Sequence, residues 1–78
     1  MNRWIENELS DSFYYKRHFD SPEKAEETYS KISLNKLLTI NGKCIIPFSR
    51  SLNITYKSKY TSKRFLVDVE GIQLIIES

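Results

Sequence analysis

The chain has 78 residues, 40% of them hydrophobic and 28% charged, with a formal net charge of +2. This length fits a single domain, residues 1–78, with one modest core, and the composition is that of a folded chain. The single cysteine, Cys44, excludes an internal disulfide, and no run of about 20 apolar residues could span a bilayer. We therefore expect a cytoplasmic protein that is not inserted in a membrane.

The charges are unevenly distributed along the chain. Residues 1–27 hold four basic and seven acidic residues, and residues 68–78 hold three acidic and no basic ones. The stretch between them, residues 28–67, has no Asp or Glu and eight basic residues: Lys31, Lys36, Lys43, Arg50, Lys57, Lys59, Lys63 and Arg64. A local positive field of this kind can attract an anionic partner even when the net charge is small.

Two helices are predicted in the first third of the chain. The first covers residues 3–17, where apolar residues recur every four positions at Ile5, Leu9 and Phe13. The second begins at Ser21, a favourable N-cap, with Pro22 at the first helical position. Its core-facing residues would be Ala25, Tyr29 and Ile32.

The rest of the chain has the features of strands. Asn41 and Gly42 separate two short apolar runs, which is the strongest short-range signal for a hairpin. Pro47 should end the second of these strands or place it at a sheet edge. Apolar and polar residues alternate over residues 52–57, as in a half-buried strand.

A second hairpin is predicted at the C-terminal end, with its turn at Glu70 and Gly71. Residues 65–69 would form its first strand and the apolar run 72–76 a second, central strand covered on both faces. The predicted fold class is α+β, with two N-terminal helices packed on a mostly antiparallel sheet of about five strands.

The segment from Arg50 to Arg64 is the strongest candidate for a binding site. Cations, hydroxyls and tyrosines are interleaved here, and such groups contact phosphates and stack on bases. The candidate nucleic-acid-binding residues are Arg50, Tyr56, Lys57, Lys59, Tyr60, Lys63 and Arg64. Two other interpretations of these cations are a solvated edge that prevents aggregation and a docking surface for an acidic protein.

The run from Ile32 to Ser51 resembles the closing hairpin of LytTR-type DNA-binding domains. It shares an apolar strand, the Asn-Gly turn, and an end of the form Ile-Pro-x-Ser-Arg. The segment from Phe13 to His18 is loosely similar to the Phe-x-Arg-x-His strand of that family. The resemblance implies that Arg50 lies in a loop that enters the DNA major groove, where an arginine can donate two hydrogen bonds to guanine.

The sequence offers little that points to catalysis. The lone His18 is more typical of a surface or cap residue, and Cys44 lies on a predicted strand, where a free cysteine usually behaves as a small apolar group. One His and one Cys do not make a zinc site, and the two isolated glycines are explained by turns. We therefore expect no enzyme activity, no metal and no cofactor.

Two functions remain open at this point. The first is a small nucleic-acid-binding protein that uses a basic sheet end and regulates transcription, with DNA as the expected partner. The second is a small inhibitor or adaptor encoded by a phage or mobile element, which docks on a partner protein. That partner would be an acidic protein or, through the acidic residues of the predicted helices, a DNA-binding one. A homodimer formed through an edge strand is also compatible with the pattern.

Overall fold

The computed structural model describes residues 3–57 and 62–75. Its elements in chain order are β1 (Ile5–Glu8), β2 (Phe13–Phe19), α1 (Pro22–Lys31), β3 (Leu38–Ile40), β4 (Lys43–Lys57) and β5 (Ser62–Gln73). The five strands form one sheet in the order β1-β2-β5-β4-β3, and every neighbouring pair is antiparallel.

The predicted first helix is wrong, because residues 3–17 contribute to a β-hairpin. Strands β1 and β2 pair from Ile5 opposite Lys16 to Glu8 opposite Phe13, and Leu9 N donates to Ser12 O at 2.8 Å in the connecting turn. The four-residue apolar spacing was misleading, since Ile5 and Leu9 are 48% and 44% exposed.

In β2 the residues that contact the core lie two or four positions apart, which fits the two-residue period of a strand. Tyr15 and Phe19 are buried, and Phe13 packs against the same core from the same face of the strand. Aromatic residues favour strands, and Ser10, Asp11 and Ser12 favour a turn. The chain therefore folds as a curled five-stranded sheet with one helix, and not as two helices on a sheet.

The second predicted helix is confirmed at its start. Ser21 is the N-cap of α1, its side chain accepts a bond from Lys24 N, and Pro22 opens the first turn. Ala25 and Ile32 are buried, while Tyr29 is partly buried against the core. The face of the sheet that α1 covers, here called the inner face, also carries Val67 and Val69.

The Asn-Gly hairpin is also confirmed. Asn41 and Gly42 have φ values of 51° and 78° and connect β3 to β4, as a type I′ turn requires. Pro47 does not end β4 but lies at a sheet edge, the other predicted alternative. It pairs with Gly71, its carbonyl faces away from β5 and accepts from Asn35 N, and a β-bulge follows it before Ser49. Strand β3 pairs only with residues 43–45, so within residues 3–57 and 62–75 Pro47 and the rest of β4 have a strand neighbour on one side only.

The predicted turn at Glu70 and Gly71 is wrong, since β5 runs through both residues to Gln73. Gly71 lies between Phe13 of β2 and Pro47 of β4. A Cβ atom there would stand 2.6 Å from Ile45 Cγ2 and 2.7 Å from Ile46 O, so the glycine allows two strands to approach closely. The predicted covered strand 72–76 is also wrong, because Ile72 and Ile75 are 56% and 73% exposed.

Candidate functional site

The hairpin of β4 and β5 extends beyond the rest of the sheet. Strand β2 accompanies β5 only as far as the pair Phe19–Phe65, whereas β4 and β5 continue through the pairs Thr55–Arg64, Tyr56–Lys63 and Lys57–Ser62. We call residues 55–57 and 62–64 the arm. Three residue pairs correspond to an extension of about 10 Å past β2.

The arm contains most of the predicted binding residues that the structure describes. Lys63 is exposed. Arg64 is half-buried, and its Nε lies 3.9 Å from Asp20 Oδ1, a carboxylate whose side chain is 93% exposed. An ion pair of that length at the surface is weak, so Arg64 remains accessible to an anion.

The other predicted residues of this segment are Tyr56, Lys57, Lys59 and Tyr60. Tyr56 and Lys57 belong to β4 by their backbone register with Lys63 and Ser62, and their side chains lie outside the described residues. Lys59 and Tyr60 lie outside them altogether, in the four residues that connect β4 to β5 in the sequence.

Arg50 lies apart from the arm and has a different set of contacts. It stands opposite Val69 on the inner face, seven residues or about 23 Å from Lys57 along β4. Its guanidinium donates to Tyr29 O at 3.0 Å and to Ile32 O at 2.5 Å, and it lies 4.3 Å from the centroid of the Tyr29 ring. Arg50 thus satisfies carbonyls at the C-terminal end of α1, a position where a cation is favourable.

Two other cations of the sheet body, which is the described sheet outside the arm, also contact groups of the protein itself. Lys43 Nζ lies 2.7 Å from Glu6 Oε2, which links β4 to β1 across the curled sheet, and it stands 4.8 Å from the centroid of the Phe13 ring. The Arg17 guanidinium lies between the rings of Trp4 and Phe19, at 5.9 and 4.9 Å from their centroids. Such contacts stabilise the fold and leave these two cations less available to an external anion.

The outer face, opposite α1, carries a polar cluster that the sequence analysis did not identify. Asp68 accepts hydrogen bonds from Tyr14 Oη at 3.1 Å and from Ser51 Oγ at 2.5 Å, and Glu70 accepts one from Ser12 Oγ at 2.9 Å. Burial, together with the bond to Asp68, raises the pKa of Tyr14. The alternation of polar residues in β2 and β5 could have indicated this cluster, but only once the two strands were known to be neighbours.

The outer-face cluster restricts where a polyanion can bind. Asp68 lies four residues from Arg64, or about 13 Å along β5, and two carboxylates make this part of the face unfavourable for phosphates. The middle of the outer face is therefore a less favourable environment for an anion than the arm is.

Sites of other kinds are not evident in the part of the chain that the structure describes. Within residues 3–57 and 62–75, no group of three or more His, Cys, Asp or Glu side chains is arranged to hold a metal ion. Within the same ranges, no helix has the length and apolar character needed to cross a membrane.

The comparisons with known proteins give no relative. No family model matches the chain, and no curated protein or solved structure matches it either.

Proposed function

We propose that the protein binds nucleic acid, with duplex DNA as the expected partner, through the arm and the residues that connect its two strands. The observation that supports this proposal is the contrast between two cations of the sheet body and one cation of the arm. Lys43 and Arg50 of the sheet body contact groups of the protein itself, whereas Lys63 is exposed on a projecting pair of strands.

The shape of the arm suits a groove of DNA. Two hydrogen-bonded strands lie about 4.8 Å apart, and a two-stranded ribbon fits within the B-DNA major groove, which is about 12 Å wide. Because the arm extends past β2, its end could enter a groove while β2 stays outside it.

The charge pattern supports the same partner. Four basic residues, Lys57, Lys59, Lys63 and Arg64, fall within eight positions of sequence that contain no acid. Phosphate contacts by such residues release counterions, so binding should weaken steeply with salt. We leave Arg50 out of the proposed interface, because release of its two bonds to the end of α1 would be needed first.

The test is a fluorescence-anisotropy titration of a labelled DNA duplex at about 50 mM salt and at rising salt. The informative variant is the triple change Lys57→Ser, Lys59→Ser and Lys63→Ser. If those lysines neutralise three phosphates, the slope of log affinity against log salt should become less steep by roughly 2.7. The matched control is Lys24→Ser, Lys31→Ser and Lys36→Ser, which removes the same charge from exposed positions outside the arm.

Two outcomes would reject the proposal. One is the absence of duplex binding by the wild-type protein at about 50 mM salt. The other is equal weakening by the arm variant and by its control, since that would show a general charge effect. Recovery of a stoichiometric, nuclease-resistant protein partner in either case would favour the alternative function, docking on another protein.

A further inference from the structure

The second half of β4 is an open sheet edge. Strand β3 ends its pairing at Ile45, while β4 continues to Lys57 with β5 on its other side. No described strand pairs with residues 48–57 on the side away from β5. Every second residue of this ten-residue stretch thus offers its backbone donor and acceptor to the open edge.

The backbone groups that face this edge can be identified from two bonds. Leu74 N donates to Cys44 O, which directs Cys44 toward β5, and Asn35 N donates to Pro47 O, which directs Pro47 the other way. Backbone groups alternate along an antiparallel strand, and the bulge after Pro47 shifts the alternation by one residue. The peptide groups of Leu52 and Ile54 therefore point to the open edge.

The middle of this edge, Ser49 to Tyr56, lacks the protection that open edges usually carry, although Pro47 and the bulge precede it and Lys57 follows it. Lysines, inward-pointing charges and prolines normally prevent pairing with another chain. Between Ser49 and Tyr56 the only charged residue is Arg50, and its guanidinium is held by the end of α1. Ile54 is 56% exposed, and Phe48, at the bulge, is 47% exposed.

We propose that a second copy of this chain pairs with this edge, antiparallel, about a two-fold axis at Asn53. This register places Leu52 opposite the partner subunit's Ile54 and Ser51 opposite the partner subunit's Thr55. Aliphatic residues then meet aliphatic ones and hydroxyls meet hydroxyls, which are favourable cross-strand pairs.

The charges of β4 are compatible with this register. Lys57 falls opposite Ser49 of the partner subunit, so no two like charges face each other across the axis. Because Leu52 and Ile54 both direct their peptide groups to the edge, each pair can exchange two backbone hydrogen bonds. The self-complementarity of the segment favours a second copy over an unrelated strand.

The dimer would also support the arm. A two-stranded ribbon alone in water is marginally stable, and the arm lacks a neighbour on both sides. In the dimer, Thr55 and Lys57 lie beside Ser51 and Ser49 of the partner subunit, so the β4 side of each arm is covered, and the β5 side and the connecting residues stay free for the nucleic acid. The two arms would point in opposite directions along one ten-stranded sheet.

The test is sedimentation equilibrium on nuclease-treated protein at micromolar concentrations. The wild-type chain, 9.2 kDa as a monomer, should sediment as a dimer. Asn53→Asp and Asn53→Lys each place like charges on two facing residues whose Cα atoms lie about 4.5 Å apart at the axis, and each should weaken self-association by roughly 100-fold or more. An equimolar mixture of the two variants should dimerise again, because opposite charges then meet.

Asn7 provides the matched control. It is exposed on β1, the strand at one end of the sheet order, so Asn7→Asp and Asn7→Lys should leave the dimer intact. A monomeric wild-type protein would overturn the proposal, and so would dissociation by the Asn7 variants in place of the Asn53 variants. If both Asn53 variants keep the wild-type urea midpoint and their mixture still fails to dimerise, the two-fold contact is not at this residue.

Discussion

The sheet body, which is the described sheet outside the arm, shares strands β4 and β5 with the arm, but the two regions differ in what surrounds these strands. In the body, β5 has a strand on each side and α1 on one face, and Val67 and Val69 are fully buried. In the arm, β4 and β5 pair only with each other among the residues that the structure describes. We infer that side chains of the body mainly determine stability, while those of the arm are available for a partner.

The largest effect should come from truncation of the body core. Phe19 is 6% exposed and its ring also contacts the Arg17 guanidinium, so Phe19→Ala should lower the free energy of unfolding by about 3–5 kcal/mol. Phe48→Ala, at a ring that is 47% exposed, should cost less than about 1 kcal/mol. Urea denaturation of both variants checks this, and equal losses would contradict the position of the core.

The second prediction compares the loss of a cation in the sheet body with the loss of a cation in the arm. Arg50→Met removes two charged hydrogen bonds to the end of α1 and should destabilise the protein by roughly 2–3 kcal/mol. Lys63→Met, at an exposed position, should change stability by less than about 0.5 kcal/mol. Its effect should be on DNA affinity.

Denaturation midpoints and DNA titrations on the same two samples test this division. A stable Arg50→Met protein that has lost DNA binding would reverse the assignment. It would return Arg50 to the base-reading role that the resemblance to LytTR-type domains implies.

The third effect concerns the two glycines, of which only one lies in the crowded body. Gly71→Ala places a Cβ atom 2.6 Å from Ile45 Cγ2, and overpacking of this kind costs about 1–3 kcal/mol. Gly42→Ala meets nothing within 4 Å but must adopt a φ of 78°, at a cost of about 1 kcal/mol. A Gly71→Ala protein as stable as wild type would mean that β4 and β5 separate more easily than the structure indicates.

The same contrast explains how much of the fold the sequence could predict. The helix start at Ser21 and the Asn41–Gly42 turn depend on local chemistry, since caps and positive φ values are properties of a few adjacent residues. Residues 3–17 could not be assigned this way, because a short apolar pattern fits both the period of a helix and the period of a strand. The strand forms because β2 pairs with β5, which lies about 50 positions away in the sequence.

The candidate site divides in the same manner. The basic cluster around Lys63 is visible in the sequence, because it depends only on composition. The separate role of Arg50 was not visible, since it requires the bulge at Pro47 and the end of α1 to be brought together. The sequence does not distinguish Gly71 from a turn residue, because the close approach of two strands produces no pattern in the neighbouring residues.

The smallest predicted effect lies at the salt bridge that joins β1 to β4. The hydrogen bond from Lys43 lowers the pKa of Glu6 below its ordinary value. A carboxylate with a lowered pKa stabilises the folded state above its unfolded pKa, about 4.3, and this contribution is lost as the pH falls through the folded value. Between pH 6 and pH 3, the urea midpoint of the wild-type protein should therefore fall more than that of Glu6→Gln, and added salt should reduce the difference. Glu8→Gln, an exposed position on the same strand, should keep the wild-type pH dependence. If Glu6→Gln does the same, then the curled sheet is not held closed by this contact, and the buried residues between β1 and β3 hold the two edges together.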